Sequence, residues 1–412
     1  MRQFSFLSIV KVRKVVKYCL GLPLLGLMTC QSAYAGWGQL YPTYQENSSW
    51  YDESRNTYEY LPEDRGFAYN SPLDQAVAGK VSQMWARLDY LHWEIGPPED
   101  GLLGESVSGI DSVTNQFIQR ADVPFTGIDR NTGSTQSTIV TNIGEVSLKN
   151  TSGLRGTLGM PLGAGELEAQ VWSLMKADQT INQATAYAQG NLVGTSVLLN
   201  GVNTNRIITY DTSFEALYET VMMGSEINYI WEDKRPYYGA HLRPILGIKY
   251  VRFDELLRQV GVDNSTGTTR TTTIETKGNN DIFGPQIGAR AELVHEWFTL
   301  GVEPKFAFSF NRYKAQLKTD QLYDIADTPS NTDIERSVWA PMFTLAAYAK
   351  VNINHRFFLY VGYDLLWNGG ISRPYDNIQY NDDASNTSRF LPTRDVTDVI
   401  TQGLSVGGEF RF

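Results

Sequence analysis

The chain has 412 residues, with 45 acidic against 35 basic side chains and a formal net charge of −10. This acidic balance argues against a nucleic-acid-binding protein, which needs a basic surface to replace the counterions of the phosphates. Beyond the first 35 residues no apolar run reaches the roughly 18 residues of a membrane-spanning helix, which excludes a helical membrane protein. Abundant tyrosine, phenylalanine and glycine instead favour a β-rich chain.

The first 35 residues have the pattern of a secretory signal peptide. A basic stretch that ends at Lys17 precedes a short apolar run over residues 18–30, and Ala-Tyr-Ala at 33–35 forms a cleavage site. The sequence therefore predicts a signal peptide at 1–35 and an exported protein.

Two further segments follow the signal. Residues 36–80 form an aromatic and polar extension without sustained alternation, and residues 81–412 form the main domain. Both cysteines, Cys19 and Cys30, lie in the signal, so the mature chain can hold no disulfide, thiolate metal site or cysteine nucleophile.

From residue 81 onward, apolar and polar residues alternate with the period of a β-strand. At the C-terminus Leu404, Val406 and Phe410 share one face, while Glu409 and Arg411 share the other. The same alternation recurs along the chain, and it predicts ten strands near residues 81–95, 151–161, 166–177, 215–232, 237–254, 281–294, 297–313, 337–352, 356–373 and 399–412.

The connections decide between a soluble sandwich and a membrane barrel. Short turns alternate strictly with long polar segments near 96–150, 178–214, 255–280, 316–336 and 374–398. This is the pattern of a transmembrane barrel with short periplasmic turns and long extracellular loops. We therefore predict an all-β fold, a closed antiparallel transmembrane β-barrel of about ten strands. A twelve-strand barrel that recruits parts of 138–149 and 206–214 is the alternative, and a soluble sandwich is the weaker rival.

The two faces of such a wall meet different surroundings. Backbone groups in hydrocarbon need internal partners, so the sheet must close, with its apolar face against outer-membrane lipid. Aromatic belts mark the two rims of such barrels. The predicted periplasmic belt consists of Tyr229, Trp231, Tyr237, Tyr238, Trp297, Phe298, Phe357 and Phe358, and the predicted outer belt of Trp93, Trp339 and Trp367.

The polar face predicts a network of charges inside the barrel. Its cations are Arg87, Arg155, Arg243, Lys249, Arg290, Lys305, Lys350 and Arg411, and its carboxylates are Asp89, Glu168, Glu226, Glu292, Glu303, Asp364 and Glu409. A barrel of this strand number has little open interior, and paired charges can fill it. A plugged lumen is the preferred interpretation, and a narrow charged path for small solutes is the alternative.

Little in the sequence points to catalysis. The four histidines, His92, His241, His295 and His355, have no metal-ligand spacing, and no nucleophile elbow is present. A surface hydrolase of the outer-membrane protease type, with His92 near the outer mouth, is the enzymatic rival. We expect no enzyme, no cofactor and no metal site.

Several motifs in order along the chain resemble a known family, the beta-barrel porins numbered seven that are abundant in planctomycetes. They are WARLDYLHW at 85–93, GSEIN at 224–228, LGIKY at 246–250, FGPQIG at 283–288 and VGYDLLW at 361–367. The resemblance covers about 81–412 and implies an outer-membrane barrel, but it carries over no catalytic or transport residue. Tyr375 departs from the family's usual glycine without affecting the expected fold.

The end of the chain predicts a route of assembly. Phe412, with Phe410 on the same face, resembles the signal read by the outer-membrane barrel assembly machinery. We predict an outer-membrane protein of a Gram-negative bacterium with a structural or surface-interaction role through its long loops. A narrow porin for small solutes is the alternative, and a surface hydrolase ranks third. Surface partners are open, and nucleic acid is not expected.

Overall fold

A computed structural model describes residues 51–52, 57–58, 84–98, 101–105, 109–110, 117–118, 125–129, 133–232, 238–382 and 390–412. The predicted signal peptide lies outside these residues, and so does the 36–80 extension apart from the pair of strands Tyr51–Asp52 and Thr57–Tyr58. Within the described part of the chain, no helix combines the length and apolar character needed to cross a membrane.

Ten strands form a closed antiparallel ring. They are β1 (Trp85–Ile95), β2 (Leu148–Leu162), β3 (Gly165–Leu174), β4 (Ser213–Trp231), β5 (Gly239–Asp263), β6 (Arg270–Val294), β7 (Phe298–Ala307), β8 (Met342–Asn352), β9 (Phe357–Ile371) and β10 (Thr397–Arg411). Each strand pairs with the next, and β10 closes the ring on β1 through pairs such as Val406 with Tyr90. The predicted closed barrel of ten strands is confirmed. The twelve-strand alternative is wrong, because Thr135–Val140 and Val202–Tyr210 join a separate sheet.

Three strands are far longer than a bilayer requires. β4 has 19 residues, and β5 and β6 have 25 each, whereas a tilted membrane strand needs about 9–11. Their surplus continues as a wall beyond the membrane, which we call the upper wall. Three further strands widen it: Ala177–Asn182 beside β4, Phe310–Asp320 beside β6, and Ser330–Trp339 at its edge.

The upper wall corrects several predicted loops. Much of 178–214, 255–280 and 316–336 is strand. The predicted strand 297–313 divides at Phe308 and Ser309, and the predicted strand 337–352 divides at Ala340 and Pro341. These segments were missed because water replaces lipid at this height, so an outward strand face such as that of 271–279 is polar rather than apolar.

The remaining elements lie at the outer end. A five-stranded sheet contains Phe125–Asp129, Thr135–Val140, Leu192–Leu199, Val202–Tyr210 and Asn381–Asp382. Two short pairs join Gly109–Ile110 to Phe117–Ile118 and Ile378–Gln379 to Leu391–Pro392. The helices are the 3-10 turn Ile143–Glu145 and the α-helix Ala184–Ala188.

Below the upper wall, in the part we call the lower barrel, the outward face is apolar, as predicted. Large exposed side chains there include Leu88, Leu154, Ile227, Leu246, Ile248, Ile287, Leu300, Val361 and Leu404. The predicted belt residues Trp231, Tyr238, Trp297, Phe298 and Trp339 are exposed at the rims, Tyr229, Phe357 and Trp367 are half-buried, and Tyr237 lies outside the described residues.

Two belt assignments are wrong. Trp93 and Phe358 are 4% and 6% exposed and point inward. Trp93 has the strand phase of Asp89, and Phe358 has the phase of Asp364, so both belong to the inward face of the wall. Aromatic character alone therefore does not place a residue at a rim, because the strand phase decides which side of the wall it faces.

Candidate functional site: the barrel interior

Glu226 lies at the centre of one group of interior charges. Its carboxylate is 3.1 Å from Lys249 Nζ and also bonds Lys305 Nζ. Asn228 donates to the same carboxylate at 3.1 Å and Gln286 at 3.3 Å. All of these side chains are buried, so the carboxylate exchanges its water for four fixed donors.

A second acid–base group adjoins the first. Lys305 Nζ also lies 2.8 Å from Glu303, and Arg290 bridges Glu303 to Glu168, with 2.7 Å between its Nη2 and Glu168 Oε2. Strands β3, β4, β5, β6 and β7 contribute these residues. The network thus links five neighbouring strands of the barrel.

A third group crosses the lumen. Arg155 on β2 lies 2.7 Å from Asp89 on β1 and 2.9 Å from Asp364 on β9. Arg87 shares Asp89 at 3.1 Å, and its guanidinium lies 4.2 Å from the ring centre of Tyr360. A cation over an aromatic face adds electrostatic attraction.

Two smaller groups complete the network. Arg243 lies 2.5 Å from Glu292 and 3.5 Å from Glu166. Glu409 lies 2.6 Å from Lys350 and 3.1 Å from Arg411. With these, the structure places each of the fifteen sequence-predicted interior charges in at least one ion pair.

Sequence reasoning missed several members of the network. Glu166 accepts from Arg243, Tyr348 donates to Glu292 at 2.7 Å, and Tyr360 lies under Arg87. Strand phase could have found them, since Glu166 is in phase with Glu168 and Tyr348 with Lys350. Uncharged members such as Gln286 and Asn228 carried no signal of their own.

The interior leaves almost no free space at this level. A cavity of about 30 Å³ remains between Arg155, Glu168, Lys305 and Tyr360. Such a volume holds about one water molecule. With Glu166 included, eight cations face eight carboxylates, so the filled lumen has no net charge.

Glu168, Glu226 and Glu303 have carboxylate oxygens within 4.8 Å of one another. Three carboxylates at this spacing can hold a metal ion. Here Lys249, Lys305 and Arg290 already neutralise the three carboxylates through direct contacts. The donor set is therefore occupied by the protein's own cations.

Above the ionic network the interior becomes apolar. Trp93 and Trp172 meet there with ring centres 5.3 Å apart. One continuous cluster of buried side chains fills the upper wall, including Leu91, Ile95, Leu174, Met222, Phe253, Leu257, Ile274, Ile282, Leu317, Ile371, Tyr380 and Phe390. We call this cluster the upper core. It is supplied by both the wall strands and the outer loops.

Polar contacts fix the loops to the wall around the upper core. Arg373, 1% exposed, lies 3.4 Å from Glu255 on β5. Asn280 on β6 donates to the Ser372 carbonyl at 2.9 Å and accepts from the Ser372 amide at 2.8 Å. The start of the connection between β9 and β10, at Ser372 and Arg373, therefore packs inside the wall.

His92 points away from this interior. It is exposed on the outward face of β1, on the side opposite to Asp89 and Leu91. The arrangement of His92 beside interior carboxylates that a protease-like mouth would need is not found among the described residues.

Comparisons with known proteins give one family and several solved structures. The model of the family "Putative beta barrel porin-7 (BBP7)" matches residues 85–412. Outer membrane protease OmpT from Escherichia coli is similar at 12% identity over 81% of this chain and 97% of that chain, with a TM-score of 0.43. A FadL homologue from Pseudomonas aeruginosa shows 9% identity over 85% and 95%, with a TM-score of 0.24. An anion-selective porin from Comamonas acidovorans shows 10% identity over 80% and 98%, with a TM-score of 0.15. No curated protein matches the sequence.

Proposed function

The chain belongs to the beta barrel porin-7 family of outer-membrane barrels, and on this premise we propose that it is a barrel closed to solutes that acts through its surface-exposed outer end. The outer end comprises the upper wall and the five-stranded sheet. Catalysis has no part in the proposal. Outer-membrane lipid surrounds the lower barrel, and the partners of the outer end are surface molecules.

The filled interior carries the proposal. A solute would have to pass a network of eight cations and eight carboxylates whose remaining cavity is about 30 Å³, and then the upper core. Breaking a buried ion pair costs about 3–5 kcal/mol of free energy. Several pairs join strands that lie three positions apart in the ring, such as Arg155 on β2 and Asp364 on β9, so no single side-chain rotation opens a path.

Conductance measures this directly. Purified full-length protein in planar bilayers is expected to give no stable openings, with an open porin in the same membrane as the positive control. A matched variant, Arg155→Ala, removes the side chain that bridges Asp89 to Asp364. Stable openings of the wild type would contradict the closed barrel. Openings whose ion selectivity changes in Arg155→Ala would establish the narrow porin instead.

Orientation is tested separately on intact cells. The turn at Asn200 and Gly201 joins Leu192–Leu199 to Val202–Tyr210 at the outer end, and both residues have positive φ, so an epitope tag fits there. We expect antibody to reach a tag at this turn but not one in the short connection at 233–236. Labelling of the second tag alone would show that the barrel has the opposite orientation and would refute the surface role.

A further inference from the structure

The upper wall has a pocket on its outward surface. It has a volume of about 490 Å³ and lies between the helix Ala184–Ala188 and the upper parts of β4 and β5. Arg258, which lines it, is eight residues above Tyr250, the last lipid-facing residue of β5. At about 3.3 Å per residue and a tilt near 40°, the pocket opens about 20 Å above the apolar band. Its volume is typical of small-molecule sites.

An aromatic wall and an apolar floor shape the pocket. The Tyr187 phenol donates to the Tyr210 carbonyl at 3.2 Å, which holds the half-buried Tyr187 ring at the side of the pocket. Tyr210 in turn stacks on Phe214 at 5.3 Å between ring centres. Leu217 and Val260, each half-buried, form the floor. The surface is therefore fixed before any ligand arrives.

Two charges line this floor without an ion-pair partner among the described residues, Glu215 and Arg258. They are diagonal neighbours, since Glu215 is opposite Val260 and Leu217 is opposite Arg258. Both side chains are exposed.

Other cations on the same outward face are paired. Arg252 lies 3.2 Å from Asp254, Lys277 lies 3.1 Å from Glu275, and Lys314 lies 2.7 Å from Asp333. Arg258 therefore differs from these paired cations, and it lies at the pocket.

The donor and acceptor inventory defines the ligand. A guanidinium only donates and a carboxylate only accepts, whereas the amide of Asn182 at the rim does both. A row of hydroxyl groups matches this mixture, because each hydroxyl donates and accepts. A pyranose ring adds an apolar C–H face for Tyr187 and for the floor. We propose that the pocket binds a short neutral saccharide, which specifies the surface role proposed above and rests on it.

A zwitterionic amino acid fits less well. Its two charges flank a single carbon, whereas diagonal neighbours on a sheet are about 7–8 Å apart at their Cα atoms. Ring hydroxyls on opposite edges of a sugar span such a gap. A dipeptide is therefore a useful competitor in the test.

Isothermal titration of the full-length protein in a zwitterionic detergent without a sugar headgroup tests the assignment. Maltose, cellobiose, lactose and diacetylchitobiose serve as probes. At least one is expected to bind the wild type, and Glu215→Gln and Arg258→Met are each expected to weaken that binding at least tenfold. Lys318→Met, a similar change on the same face outside the pocket, should leave the affinity unchanged. Resistance to heat before electrophoresis verifies that each variant is folded.

Three results would overturn the saccharide site: no probe binds the wild type, the two pocket variants bind as the wild type does, or dialanine displaces the sugar. These results are separable from a failure of the closed barrel. A conducting protein that binds a saccharide here refutes the closed barrel alone, and a silent protein that binds none refutes the pocket alone.

Discussion

Replacement of Glu226 by glutamine probes the centre of the interior network. The change keeps the shape of the side chain but removes the charge that faces Lys249 and Lys305. Lys305 retains Glu303 at 2.8 Å, whereas the Lys249 ammonium retains, among the described residues, only the contact with the Thr344 hydroxyl, also at 2.8 Å. One buried ammonium is left without a counterion. Breaking a buried pair in this way costs about 3–5 kcal/mol.

The expected loss is measured by denaturant unfolding from lipid vesicles, followed by the fluorescence of the nine tryptophans. At about 1.4 kcal/mol for each tenfold change, the folding equilibrium of Glu226→Gln falls by a hundredfold or more. Asp333→Asn makes the same acid-to-amide change in the Lys314 pair, where both side chains are about half exposed. Its expected cost is far smaller, because solvent screens a pair at the surface.

A second substitution separates lost attraction from stranded charge. In Glu226→Gln, a further Lys249→Met removes the unpaired ammonium, and most of the lost stability should return because an apolar replacement of a buried pair is often neutral. If Glu226→Gln were no less stable than Asp333→Asn, the interior charges would be solvated. The account of a dry, paired lumen would then be refuted.

Three further predictions concern the outer end and assembly. Burial raises the pKa of Tyr210 to about 12 and raises the pKa of Tyr380 well above its usual 10. Because the phenols of the unfolded chain ionise first, the stability of the upper core should fall as the pH rises above 10. The loss should appear as hydrogen exchange in Leu192–Leu199 that is faster than base catalysis of the exchange alone explains, with a smaller excess in Tyr380→Phe. Arg373→Met removes the cation that faces buried Glu255, so it should increase protease cleavage at 374–398 on intact cells, and Arg373→Met/Glu255→Gln should restore protection. Unchanged cleavage would contradict the anchoring role. Phe412 is 51% exposed, so its deletion should not lower the stability of the refolded barrel, but it should reduce the amount of barrel assembled in cells. Equal amounts of the deletion variant and the wild type in cells would refute the role of Phe412 as an assembly signal.

Alternation along the strands predicted the ring because one face of each membrane strand meets lipid and the other meets the lumen. It also selected Arg155 and Asp364 as interior residues, but not their contact, since 209 residues separate them and only ring closure brings β2 and β9 together across the lumen. The upper wall was missed for a related reason. Its outward face at Lys277 and Glu275 meets water, so the pattern there resembles a polar loop. The apolar run at 192–199, within a predicted loop, does indicate the strand Leu192–Leu199 of the five-stranded sheet.

The two faces of the long strands exchange polarity at one height. In lower β5, Ile248 faces lipid and Lys249 faces the lumen; a few residues higher, Arg252 faces outward and Phe253 inward. In lower β6, Phe283 and Ile287 face outward and Arg290 faces inward. Higher in the same strand, Asp281 faces outward and Ile282 faces inward. At both heights of these two strands, an apolar residue on one face thus accompanies a polar residue on the other.

This exchange has a physical reason. A strand apolar on both faces would be a β-aggregation hazard while the chain is unfolded. A polar face therefore accompanies the apolar one throughout, and it must lie inside where the outside is lipid. The inside must then be satisfied by ion pairs, because its remaining cavity of about 30 Å³ has room for about one water molecule. Above the band the outer face meets water, so the apolar face can turn inward and hold the loops by ordinary hydrophobic burial. The height of the exchange between Lys249 and Phe253 thus fixes both the depth of the barrel in the membrane and the level at which its ionic filling gives way to the upper core.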